Sequence, residues 1–278
     1  MRPASGGTRP SARRRALGQH FLVDVRAVAR IVAALDPRSG DPVLEIGAGR
    51  GALTERLLAA AGRVAAVEVD RRLAAALRAR HAPESLALFE GDVLRLDLSE
   101  VARALGHPAS TPLLVVGNLP YSLSKPIVQR LVRERARVAR AVLMFQREVA
   151  ARLTAAPGGA SYGPFGILAG QFFEIEPLFD LAPAAFRPPP AVHSRVTRWI
   201  PRPSAPSAEC ERRLRSCLAA CFAGRRKTVR NNLRAALGER QADALLDAAG
   251  VDGGLRAEDL GPPTFVRLAA TWPAGAGR

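Results

Sequence analysis

Leu-Leu-Val-Val-Gly-Asn-Leu-Pro-Tyr, residues 113–121, is the stretch on which the fold turns. Leu113–Val116 is an unbroken apolar run of the kind a parallel strand buried on both faces requires. It stops at Gly117, and Asn118, Pro120 and Tyr121 follow at once. Groups just past the carboxyl end of such a strand lie where open α/β sheets hold their ligands. Pro120 has no N–H to donate and keeps its carbonyl as an acceptor. Asn118 adds a side-chain carbonyl, and Tyr121 adds a flat face on which a ring can stack. Acceptors beside a stacking surface suit a planar group bearing an exocyclic amine, such as adenine. The competing reading is a strand-to-loop turn that proline makes rigid.

Upstream, Asp41–Gly51 reads as a short buried strand (Val43, Leu44, Ile46), a glycine turn over Gly47–Gly51, and then a helix over 52–61. Gly47, Gly49 and Ala52 satisfy the loose dinucleotide pattern G-x-G-x-x-G/A, which by itself is a weak signal. Glu45 separates the two cofactor readings. A carboxylate at the mouth of a pyrophosphate site is repulsive, whereas beside an ammonium and a sulfonium it is favourable. That points to S-adenosylmethionine rather than a dinucleotide. A second strand, Arg63–Val69, ends at Glu68, an acid about 20 residues after the glycine turn and so placed to hold ribose hydroxyls. A third strand, Ser85–Glu90, is followed by Asp92, set to accept from an adenine amino group. Each acid taken singly reads equally well as a solvated loop carboxylate. At successive strand ends, with Asn118 at the next, they form a constellation.

The wider chain has 278 residues, a hydrophobic fraction of 48%, a formal charge of +16 and a pI near 11.4. That length holds a large domain and a small companion, and that charge favours a polyanion, nucleic acid by default. The first 17 residues, Arg- and Ser-rich and without acids, bear a faint likeness to a transit peptide, but their Gly and Pro content favours a disordered basic arm, assigned to residues 1–12. A helix begins near Asp24, and His20 just before it reads as structural or as a site residue. Further strands are expected at 141–145, 172–175 and 192–200, with helices at 125–135 and 149–153 and a loop over 157–166 that shapes a substrate entrance. Phe186 opens a Pro-rich segment and reads as a core residue or as a stacking ring. A Pro/Ser linker at 201–208 separates a domain over 13–200 from an all-helical region over 209–278. The helix expected from Lys227 onward opens with Arg225, Arg226, Lys227, Arg230 and Arg234, read as a phosphate-contacting surface. Cys210, Cys217 and Cys221 match neither a zinc pattern nor a disulfide framework, which suits a reducing compartment, the cytoplasm. No apolar run reaches membrane-spanning length.

In family order the chain carries Gln19-His20-Phe21-Leu22, Glu45-Ile46-Gly47-Ala48-Gly49-Arg50-Gly51, Glu68-Val69-Asp70, Gly91-Asp92 and Asn118-Leu119-Pro120-Tyr121. Phe186-x-Pro-Pro-Pro-x-Val192-x-Ser194 and the run from Arg225 to Leu233 complete the set. The chain thereby resembles the KsgA (RsmA) family of small-subunit rRNA adenine N6-dimethyltransferases from about residue 13 to its end. His20 stands where many members have asparagine, and Pro164-Phe165 where Arg-Leu is usual.

The resemblance implies a Rossmann-like class I S-adenosylmethionine-dependent methyltransferase sheet followed by a small helical domain. The cofactor residues are Gln19, His20, Leu22, Glu45, Gly47, Gly49, Glu68, Asp92 and Asn118; the catalytic set is Asn118, Leu119, Pro120, Tyr121 and Phe186. Tyr121 and Phe186 are expected to sandwich the base, while Asn118 and Pro120 accept its N–H groups and aim the nitrogen lone pair. The implied partner is 16S rRNA in the immature small ribosomal subunit, met by a monomer without a metal. Alternatives are an Erm-type enzyme acting on 23S rRNA, a ribosome-assembly factor without catalysis and, remotely, a dinucleotide oxidoreductase.

Overall fold

The computed structural model describes residues 19–204 and 206–273; the arm at 1–12 lies outside them. The chain enters through a two-residue strand, β1 (Phe21–Leu22), and helix α1 (Val25–Leu35). Asp24 caps α1 by accepting the N–H groups of Arg26 and Ala27 at 2.9 and 3.0 Å, the pairing that makes aspartate a strong helix starter. Four strand–helix units follow: β2 (Val43–Ile46) and α2 (Thr54–Ala61), β3 (Val64–Glu68) and α3 (Arg71–Arg80), β4 (Leu86–Glu90) and α4 (Leu98–Ala104), β5 (Leu113–Asn118) and α5 (Ser124–Arg133). Then come β6 (Val138–Gln146), α6 (Arg147–Thr154), α7 (Pro164–Phe172), β7 (Phe173–Leu181), β8 (Phe186–Arg187) and β9 (Ser194–Pro201).

The main sheet runs β4-β3-β2-β5-β6-β9-β7, parallel through β6, with β9 antiparallel to both β6 and β7. Every residue of β2 and β3 is buried, including the one acid each carries, Glu45 and Glu68, as strands covered on both faces of a parallel sheet are. From β2 the chain steps outward to β3 on one side and later to β5 on the other, so the strand order reverses between β2 and β5. Such a switch point opens a crevice at the carboxyl ends of its two strands.

Helices α8 (Ala208–Cys221), α9 (Val229–Leu237), α10 (Glu239–Ala249) and α11 (Pro262–Ala270) form the carboxyl-terminal region. They share one continuous apolar core with one face of the sheet, from Leu44 and Val115 through Phe172 to Leu214 and Phe265. Tyr162 donates to the Leu260 carbonyl at 2.8 Å, and Arg135 to that of Pro206 at 2.7 Å. Two expectations need correction here. The loop read to Gly166 ends at Gly163, because Pro164 occupies the first turn of α7, where a missing N–H costs nothing. The helix read from Lys227 starts at Val229 behind the cap residue Thr228, so Arg225–Lys227 stand in the preceding turn.

That turn has a single organiser, which the sequence reading passed over. Asn232 is 3% exposed. Its Oδ1 accepts from the Gly224 N–H at 2.9 Å, and its Nδ2 donates to the carbonyls of Cys221 at 2.7 Å and Gly224 at 3.1 Å. Asn232→Ala removes the partner of the Gly224 N–H and of the Cys221 carbonyl, while the Gly224 carbonyl keeps the Lys227 N–H, so thermal unfolding is expected to show a loss of about 1–3 kcal/mol.

Candidate active site

A cavity of about 280 Å³ opens at the carboxyl ends of β2, β3 and β5, where the strand order reverses. Of the cofactor residues expected from sequence, Gln19, His20, Gly47, Gly49, Glu68, Asp92 and Asn118 line it. Gly47 and Gly49 take φ of 73° and 58°, conformations that favour glycine. A Cβ on Gly49 would sit 3.2 Å from the Phe21 ring, so the glycine turn, the ring and the cavity share one tight wall.

Glu68 is 4% exposed, and each of its carboxylate oxygens is fixed by a backbone donor. Oε2 accepts the Gly49 N–H and Oε1 the Asp70 N–H, both at 2.8 Å. The remaining lone pairs suit a vicinal diol. Asp92 is exposed; its Oδ1 accepts the Leu94 N–H at 2.9 Å, which holds the carboxylate in place. Gln19 Oε1 is buried with no hydrogen-bond partner among the described residues. A buried orphan acceptor is costly unless a ligand donor meets it. The polar side chains in this wall therefore ask for a donor-rich guest with hydroxyl, amino and ammonium groups, and S-adenosylmethionine fits that demand.

Two of the expected cofactor residues do not reach the cavity. Leu22 is 5% exposed and pairs with Phe186 across the β1–β8 ladder, facing the core. Strand alternation turns Phe21 to the cavity instead, under the Arg50 guanidinium at 4.5 Å. Glu45 is also sealed, at 1% exposure, because alternation along β2 puts it on the face opposite Leu44 and Ile46. Its Oε2 accepts the Thr54 hydroxyl at 2.5 Å. Burial pushes its carboxyl up to about 7, with the Thr54 hydrogen bond opposing and the Glu68 charge adding to the rise. Direct contact of Glu45 with a cationic ligand, the basis for preferring S-adenosylmethionine in the sequence, is therefore replaced by the cavity-facing Glu68, Asp92 and Gln19.

The Asn-Leu-Pro-Tyr rim is built around a locked amide. Asn118 Nδ2 donates to the His20 carbonyl at 2.8 Å, which leaves Oδ1 as an acceptor without a partner among the described residues. The Pro120 carbonyl accepts the Leu123 N–H at 2.9 Å and retains its second lone pair. Leu119, at 2% exposure, packs its side chain into the core beneath while the residue still lines the cavity. Tyr121 is half-buried, and its hydroxyl lies 3.0 Å from Ser194 Oγ. Burial raises that hydroxyl above the usual phenol range, with the Ser194 contact opposing. The His20 ring centroid is 5.7 Å from that of Tyr121, and His20 Nδ1 is 2.8 Å from the Pro188 carbonyl. Phe186 is the third correction. It is fully buried and absent from the cavity wall, because the β1–β8 pairing turns it into the core beside Leu22.

The basic surface divides in two. Arg225, Arg226 and Lys227 are exposed, and the first and last of them border a second cleft of about 460 Å³ with Arg152 and Phe165. Arg230 and Arg234 instead pair with Asp243 of α10, at 2.9 and 2.6 Å. With Glu239 also on Arg234 at 3.2 Å, two acids face these two cations within the helical region, contrary to the expectation that all five face phosphate.

A model of the family described as ribosomal RNA adenine dimethylase matches residues 11–272. The chain belongs to that family. A ribosomal RNA small subunit methyltransferase A from Acidobacterium capsulatum is 45% identical over 259 residues, covering 92% of this chain and 89% of that protein. One from Alcanivorax borkumensis is 40% identical over 257 residues, with the same coverage. Among solved structures, the 23S rRNA methyltransferase ErmE aligns with a TM-score of 0.68 at 27% identity, over 91% of this chain and 99% of that one. A dimethyladenosine transferase from Plasmodium falciparum aligns at 0.73 and 26%, over 90% and 96%. As a member of the ribosomal RNA adenine dimethylase family, the protein is an S-adenosylmethionine-dependent adenine dimethyltransferase, and the cavity has the donor demand that cofactor meets. No helix among the described residues is long and apolar enough to cross a membrane, and none of their side-chain groups forms a metal-holding cluster.

Proposed function

We propose that this enzyme dimethylates the exocyclic nitrogens of two adjacent adenosines in a hairpin loop near the 3′ end of 16S rRNA. It acts as a cytoplasmic monomer during small-subunit maturation. The observation that carries the chemistry is the locked Asn118 amide, whose nitrogen is spent on the His20 carbonyl and whose oxygen is held ready to accept. The bound cofactor supplies an electrophilic methyl group on a sulfonium. Adenine N6 is a poor nucleophile because its lone pair is delocalised into the ring. With Asn118 Oδ1 accepting one N–H and the Pro120 carbonyl the other, the nitrogen is drawn toward a pyramidal geometry with its lone pair aimed at the methyl. Tyr121, anchored through Ser194, offers the face on which the extruded base lies. No general base is required, because the proton is lost from a cationic product amine. After one transfer a single N–H remains, and rotation of the amine presents it again.

Glu68 holds the ribose and Asp92 the adenine amino group of the cofactor in this reading, and Gln19 Oε1 receives a donor from its methionine end. Arg225, Arg226 and Lys227 contact RNA phosphate from the turn that Asn232 clamps. The choice of small-subunit RNA is supported by the relatives named for that subunit, at 45% and 40% identity, against 27% for ErmE. Methyl transfer from labelled S-adenosylmethionine to immature small and large subunits tests it. Dimethyladenosine confined to the small subunit is expected; label in the large-subunit RNA assigns the enzyme to the resistance methyltransferases instead.

A further inference from the structure

The rim carrying Asn118 and Tyr121 continues sideways along the sheet. Asn118 of β5 is registered against Met144 of β6, and Gln146 of β6 against Ser194 of β9. One residue beyond that last pair stand Arg147 and His193, at the same end of the sheet as Asn118. They are joined through the backbone, the Arg147 N–H donating to the His193 carbonyl at 2.9 Å. Ser194, next to His193, is the residue that holds the Tyr121 hydroxyl. The ring against which the target base lies is therefore tethered to the very segment that presents these two side chains.

Both are exposed. The acids around them are already engaged: Asp180 takes a two-pronged bond from Arg195 at 2.5 and 2.9 Å, and Glu148 pairs with Arg152 at 2.5 Å. Neither Arg147 nor His193 has an ion-pair partner among the described residues. Asp180 also registers them. Its carboxyl is held below the usual range first by the Arg195 hydrogen bond, with Arg147 and His193 adding their charge. With the neighbouring acids engaged by Arg195 and Arg152, the exposed Arg147 guanidinium is left without an ion pair at this edge among the described residues. A guanidinium fork fits phosphate oxygens two at a time, and phosphate contacts set the register of a bound strand.

We propose that Arg147 and His193 form a phosphodiester clamp that holds the single-stranded RNA backbone beside the target adenine while its base lies against Tyr121. They are substrate-positioning residues, separate from the Arg225–Lys227 turn, and the proposal rests on the RNA-methylating reading above.

The test combines kinetics on immature small subunits with binding of a short adenine-rich single-stranded RNA at several salt concentrations. Arg147→Ala is expected to raise KM for the subunit about ten-fold, the scale of one charged hydrogen bond, with kcat and cofactor affinity unchanged. Arg147→Lys, which keeps the charge but not the fork, recovers only part of the loss, and His193→Ala gives a smaller change in the same direction. The slope of log K against log salt for the oligonucleotide falls by about 0.7 for the lost contact. An unchanged KM and salt slope in Arg147→Ala overturn the clamp. So does a loss of kcat together with cofactor affinity, which marks Arg147 as structural. Failure of the wild-type protein to methylate small-subunit RNA counts against the proposed function, whereas the oligonucleotide slope still decides whether the clamp exists.

Discussion

Asn118→Ala is expected to lower the single-turnover rate of methyl transfer at least 10²- to 10³-fold, roughly the effect of deleting a preorganised acceptor or donor aimed at the reacting centre. Alanine removes the free Oδ1 and also the Nδ2 tether to the His20 carbonyl. The two losses separate in Asn118→Asp, which keeps an acceptor and puts an anion where the donor stood, against a carbonyl it now repels. That variant is expected to retain part of the rate while loosening the entry strand. RNA binding, carried by surface cations elsewhere, stays within a few-fold of wild type. A rate for Asn118→Ala within about ten-fold of wild type denies Asn118 its role and leaves the Pro120 carbonyl as the only acceptor.

Glu68→Ala is expected to weaken binding of S-adenosylhomocysteine about 100-fold in calorimetry, since hydrogen bonds to a charged group contribute about 1.5–3 kcal/mol each. The product is the better probe here. It carries the same ribose without the sulfonium charge, so the result reports hydrogen bonding rather than attraction to a cation. The loss has a second source, because the Gly49 and Asp70 N–H groups lose the carboxylate that fixes the glycine turn. Glu68→Gln keeps one oxygen and points an NH₂ at one of those donors, so it sits between wild type and Glu68→Ala. Unchanged affinity in Glu68→Ala removes the ribose from this end of β3.

Residues whose positions follow from strand ends were legible in the sequence. In a parallel sheet the carboxyl ends of successive strands converge, so Glu68, Asp92 and Asn118 had to meet once the strands were placed. Residues whose roles depend on which face a side chain takes were harder. The alternation that buries Glu45 with Thr54 was available in Val43–Ile46, but the whole strand is buried and no polar face marks the period. Leu22 and Phe186 exchanged site for core because β1 pairs with β8 across more than half the chain, a contact that no local pattern announces. The same pairing brought Phe21 to the cavity. Arg230 and Arg234 read as free cations because their partner, Asp243, comes from the following helix. Asn232 left no signal beyond an asparagine in a basic run; only the turn folded around it shows its three hydrogen bonds.

On the proposed mechanism, the crevice between β2 and β5 holds the cofactor with its reactive end at the Asn118 rim. A crystal structure of the protein with S-adenosylhomocysteine tests it most directly. The ribose hydroxyls are expected on the Glu68 carboxylate, the adenine amino group at Asp92, a ligand donor on Gln19 Oε1, and the sulfur facing Asn118 Oδ1. A ligand seated in the cleft beside Arg225 and Phe165, or one whose ribose lies away from Glu68, contradicts it.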